Sequence, residues 1–105
     1  MEIYYRFYII LQKGTSLAIT QRCNCIEDVL PILKHLNCEA IKELIRQGLT
    51  DENICEGLYQ EITSTDMGYL LGPGKSDKGE FNIYVQSEQI QIFDEDLDEA
   101  PKRQD

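Results

Sequence analysis

Three cysteines and the chain's one histidine lie near one another, at Cys23, Cys25, His35 and Cys38, and they are the residue types of a structural zinc site. One residue separates the first pair, where about two to four are usual for zinc. The same group offers a nucleophile pair: a Cys38 thiol near a helix start, where thiol pKa values fall, with His35 as the available base. No third orienting group or oxyanion donor can be named beside them, so the catalytic set is incomplete. Buried thiols are the expectation for the cysteines. A zinc-stabilised regulator on Cys23, Cys25, His35 and Cys38 is the alternative.

Gly74-Lys75-Ser76 has the ending of a phosphate-binding loop, but the first glycine of that motif would fall at position 69, which is Tyr69. A strand pattern follows instead of the helix whose N-terminus would hold the phosphates. This stretch reads as a turn-forming loop from Gly72 to Gly79. Tyr4, Arg6 and Tyr8 share one face of a strand. Aromatic rings around an arginine can stack bases, but they are also enriched at protein interfaces. The acids are scattered over helix faces and the C-terminus, which gives paired-carboxylate chemistry no support. The chain is therefore expected not to be an enzyme and to need no cofactor.

Charge selects among partners. The 105 residues carry 19 acids and 10 bases. Residues 1–50 hold five acids and six bases, and residues 51–105 hold the other fourteen acids with four bases. A surface that grips nucleic acid must neutralise phosphates, so nucleic acid is not expected as a partner. An acidic field instead steers basic partners. Asp51, Glu52, Glu56, Glu61 and Asp66 are the acids expected to meet a basic protein surface, together with Tyr4, Arg6 and Tyr8. No apolar run is long enough for a membrane span. Glu2 and the lack of a small-residue cleavage site give no sign of an export signal, so a cytoplasmic protein with reduced thiols is expected.

The elements follow from periodicity. Ile3, Tyr5, Phe7, Ile9 and Leu11 alternate with polar and aromatic residues, the pattern of a strand with one buried face. Lys13-Gly14-Thr15 signals a turn, and Leu17 and Ile19 continue as a hairpin partner. Asn24 with Glu27, or Asp28, starts a helix through Ile26, Val29, Leu30, Leu33 and Leu36, and Pro31 requires either a late start or a kink. Asn37 caps a second helix that Gly48 stops. Thr50 caps a third, with Leu49 and Ile54 spaced as a hydrophobic staple and Asp51 and Glu52 favouring the positive end of its dipole. A strand over Met67–Leu71 is expected next, then alternation at Phe81, Ile83 and Val85, and a further turn at Ser87-Glu88 before Ile90 and Ile92.

Ala40-Ile41 and Leu44-Ile45, followed by Gln47-Gly48-Leu49-Thr50-Asp51-Glu52-Asn53-Ile54, resemble the helix-turn-helix segment of response-regulator-type DNA-binding domains. The resemblance implies a recognition helix near Ser64 to Leu71. From Gln47 to Gly74 the chain has no Lys or Arg and five acids, the wrong charge for that role.

These readings give an α+β fold: an N-terminal strand or hairpin, three central helices, C-terminal antiparallel strands, and a disordered acidic tail. Residues 1–93 form one domain and 94–105 the tail. The expected function is a small acidic intracellular protein-binding module, an inhibitor of the immunity or phage anti-defence type docking on a basic partner. The alternatives are the zinc-stabilised or helix-turn-helix-like regulator and a homo-oligomeric structural subunit joined through the first strand.

Overall fold

A computed structural model describes residues 2–92, and the acidic tail expected from residue 94 lies outside them. The chain runs β1 (Glu2–Lys13), β2 (Ser16–Cys23), α1 (Ile26–His35), α2 (Glu39–Arg46), α3 (Asp51–Thr63), β3 (Tyr69–Ser76) and β4 (Gly79–Ile92). The strands form one antiparallel sheet in the order β2-β1-β4-β3. The fold is the expected α+β architecture, with strands at both ends of the described residues and the helices between them.

Period-two alternation divides the sheet into two faces. Phe7 and Ile9 of β1, with Ile83 and Val85 of β4, are buried against Val29, Leu33, Ile41, Ile54 and Ile62 of the helices. Burying aliphatic and aromatic side chains stabilises by roughly 1.5–3 kcal/mol each, so this seam is the main source of stability. On the opposite face, Ile19, Ile10, Tyr84 and Leu70 are successive partners across all four strands. Leu17, Ile19 and Leu70 on that face are exposed.

Two helix ends are closed by the same backbone device. At the end of α1, the Cys38 N–H donates to the Leu33 carbonyl and the Asn37 N–H to the Lys34 carbonyl, with Asn37 left-handed at φ 52°. At the end of α2, Leu49 donates to Leu44 and Gly48 to Ile45, with Gly48 at φ 91°. Both are Schellman closures, and each needs a residue that tolerates positive φ. Asn37 therefore ends α1 and does not cap α2, whose N-cap is Cys38. Likewise Cys25, not Asn24, is the N-cap of α1. The Thr50 cap is as expected, its hydroxyl accepting the Asn53 N–H at 3.1 Å.

Two strand expectations are corrected. Gly72-Pro73-Gly74 lies within β3, and the turn is confined to the residues between Ser76 and Gly79. Proline is tolerated because β3 is an edge strand, and a register shift beside Leu71 absorbs the extra residue. No turn forms at Ser87-Glu88: β4 runs straight through, pairing Ser87 with Phe7 and Glu88 with Arg6. The twelve residues of β1 offer β4 a continuous partner, and Ser-Glu lacks the positive-φ preference of a tight turn.

Candidate functional site

The Lys34 ammonium, in the last turn of α1, lies 2.8 Å from the Asp51 carboxylate in the first turn of α3. The two helices thus run in opposite directions side by side, and a groove of about 600 Å³ opens between them. Ile26, Leu30 and Pro31 of α1 and Cys55 and Tyr59 of α3 supply its apolar surface. Glu27, Asp51, Glu52 and Glu56 line it as well, four carboxylates against the single Lys34.

Each wall is positioned by packing beneath it. Ile26 and Leu30 are buried on the core side of α1, which turns Glu27 and Pro31 outward. Ile54, Leu58 and Ile62 anchor α3 and leave Glu52 and Glu56 exposed. The Tyr59 ring stands edge-on to Tyr5 at 5.7 Å and Phe7 at 6.2 Å, an arrangement aromatic pairs prefer. Pro31 lies inside α1 and has no N–H to meet the Glu27 carbonyl one turn back. The helix does not start late: it begins at Ile26 and carries Pro31 in its interior. Glu52 and Glu56 are spaced i,i+4, where like charges repel on an isolated helix.

The expected partner-binding residues do not form one surface. Asp51, Glu52 and Glu56 line the α1–α3 groove. Glu61 lies on a second, more apolar groove of about 510 Å³ between α2, α3 and β3, and Asp66 sits in the connection from α3 to β3. Tyr4, Arg6 and Tyr8 are on the sheet face away from the helices, where the Tyr8 hydroxyl donates to Glu88 at 2.7 Å and Arg6 lies 3.9 Å from the same carboxylate. Glu27, Pro31 and Tyr59 belong to the groove but not to the expected set. In the sequence Glu27 reads only as a capping residue, and its neighbours in the groove come from a helix more than twenty positions away.

The cysteine-histidine set does not converge. Cys23 and Cys25 are at the start of α1 and His35 and Cys38 at its end, separated by a ten-residue helix of roughly 15 Å. Among the described residues no three His, Cys, Asp or Glu side chains are placed to share a metal ion. Cys23, Cys38 and Cys55 are buried and Cys25 half-buried, all as free thiols. Burial pushes all four thiols above their ordinary value, Cys38 among them, which has no exposed surface. A thiol held protonated is a poor nucleophile, so Cys38 is not an activated one.

Among the described residues no polar or charged residue is buried as a whole, though the Arg6 Nε atom is buried without a hydrogen-bond partner. Gly74-Lys75-Ser76 is a strand segment and not a phosphate loop. The recognition helix implied by the helix-turn-helix resemblance is absent: after Thr63 the chain turns and Tyr69 opens β3. No described helix is long and apolar enough to cross a membrane. No protein-family model, curated protein or solved structure matches the chain.

Proposed function

We propose that the protein is a binding module that inhibits or adapts a basic protein, taking an amphipathic, Lys/Arg-bearing segment of that partner into the α1–α3 groove. The observation that supports this reading is the composition of the groove, an apolar floor with four carboxylates around it and one base, itself paired to Asp51. A helix-in-groove mode fits that composition: apolar anchors enter between α1 and α3 while the cations of the segment meet Glu27, Glu52 and Glu56.

In this reading the chain has no catalytic role of its own, and occupation of a cationic surface is what blocks the partner. Electrostatics of this exposed kind govern encounter rate and selectivity more than the final affinity. Added salt therefore weakens the association.

The test is co-purification of tagged protein from its source cell, after nuclease treatment, at low and high salt. Wild type should retain a stoichiometric basic protein at low salt and release it at high salt. The double variant Glu52→Lys, Glu56→Lys, in two exposed helix positions, should lose it, and Arg6→Glu on the far sheet face should keep it. Retention of the same partner by the double variant would overturn the proposal.

A further inference from the structure

The two edges of the sheet are treated differently. The β3 edge carries Pro73 and a register shift, and the turn between α1 and α2 sits against it: the Lys75 N–H donates to the Leu36 carbonyl at 2.9 Å and the Asn37 side-chain amide to the Lys75 carbonyl at 3.0 Å. The β2 edge has no proline, and no residue from Ser16 to Gln21 is charged. Seven of its eight residues are exposed, with Leu17 at 65% and Ile19 at 67%. An open, uncharged strand edge with exposed branched aliphatics is a template for pairing with another strand.

The residues of β2 also say which strand fits. When a strand pairs antiparallel with its own copy about a two-fold axis, each residue meets its mirror position. With Ala18 on the axis, Leu17 of one copy stands opposite Ile19 of the other, and Ser16 opposite Thr20. Apolar meets apolar at Leu17 and Ile19, no like charges face one another, and the Thr20 hydroxyl is already held within the sheet by the Ile9 carbonyl. The pairing is bounded at Thr20, where the register of β1 against β2 shifts and the edge twists away.

We infer that β2 is a self-association edge: two copies join antiparallel through Ser16–Thr20 about a two-fold axis at Ala18, forming one continuous sheet. The apolar row of Leu70, Tyr84, Ile10 and Ile19 then runs on into the second copy. From Phe7 to Lys13 β1 is bonded on both sides, to β2 and to β4, so joining through the first strand would have to use its Glu2–Arg6 end. Ser16–Gln21 bring no charge of their own to the joint, which lets two chains of net charge −9 approach there. Their remaining repulsion is screened by salt, so self-association strengthens as salt rises while the binding of a basic partner weakens. This inference stands apart from the proposed function, and the sign of the salt response separates the two.

Sedimentation of the full chain from about 1 µM to about 1 mM, spanning weak to moderate affinity, tests it. A dimer of twice 12.1 kDa that tightens with salt is expected. Ile19→Lys should raise its dissociation constant by about tenfold or more, roughly 1.4 kcal/mol, and Leu70→Lys on the same face but the closed edge should leave it within about twofold. In a Cys25→Ser background, Ala18→Cys should form an intermolecular disulfide under mild oxidation, since residues facing one another across an antiparallel pair are about 4.5–5.5 Å apart at Cα, within disulfide reach. Ser16→Cys, displaced from the axis, should not. A monomer at every concentration overturns the inference. So does a dimer that Leu70→Lys dissociates as fully as Ile19→Lys, or one in which Ala18→Cys fails to cross-link.

Discussion

The Leu36 carbonyl, where α1 ends, accepts the backbone N–H of Lys75 in β3 at 2.9 Å. This contact ties the helical layer to the closed edge of the sheet, and it depends on the absence of a side chain at Gly74. A Cβ there would sit 2.5 Å from Ile83 Cδ1 and 2.7 Å from the Leu36 oxygen. Gly74→Ala must therefore push α1 off β3 or displace Ile83 from the core. We expect a loss of about 2–3 kcal/mol, read by chemical denaturation. Gly57→Ala is the counterpart: Gly57 lies in α3 with open space around it, and alanine there should add about 0.5–1 kcal/mol. Equal effects of the two substitutions would show that the close approach at Gly74 does not matter.

Cys38 supplies a pH-dependent term in stability. Burial raises its thiol above the ordinary value of 9.0, with smaller opposing effects from the N–H groups of Ile41 and Ala40. The folded state therefore holds the proton more tightly than the unfolded state. The stability this gives is fully present below pH 9.0 and is lost as pH rises through the higher folded value. Stability of wild type relative to Cys38→Ala should be flat in the neutral range and fall above pH 9.0, and urea titrations at stepped pH measure it. A constant difference across the alkaline range would contradict the argument.

Much of the fold can be read from short-range pattern. The alternation at Ile3–Leu11, the Gly14 turn, the Thr50 cap and the Gly48 stop each depend on residues within one turn or one hairpin, and all are found in the structure. What could not be read depends on distant partners. Gly72-Pro73-Gly74 has the composition of a loop, yet hydrogen bonding to β4 makes it a strand. Ser87-Glu88 stays extended because Phe7 and Arg6 lie alongside. The groove was half legible: Asp51, Glu52 and Glu56 stand out as a charged face of one helix, while Glu27 and Tyr59 join them only once α1 and α3 pack together. Tyr4, Arg6 and Tyr8 lie apart from those acids, on the sheet face away from the helices, a separation that sequence spacing does not reveal.

Pro31 links the stability of α1 to the groove. A proline inside a helix removes one hydrogen bond and crowds the preceding turn, at a cost of about 3 kcal/mol in a regular helix. Part of that is offset because proline also restricts the unfolded chain, by about 0.4–1 kcal/mol. Pro31 is exposed and its ring lines the groove, so alanine can replace it without leaving a core cavity. Pro31→Ala should therefore raise stability by about 2–2.5 kcal/mol in urea or thermal unfolding. The backbone N–H that this substitution introduces can hydrogen-bond the Glu27 carbonyl, the bond that proline cannot make. If a basic segment donates to that carbonyl, its affinity should fall roughly two- to tenfold in the same variant, the worth of one ordinary hydrogen bond. A variant that is more stable and binds the basic partner as well as wild type would remove the carbonyl from the recognition surface and leave only the carboxylates.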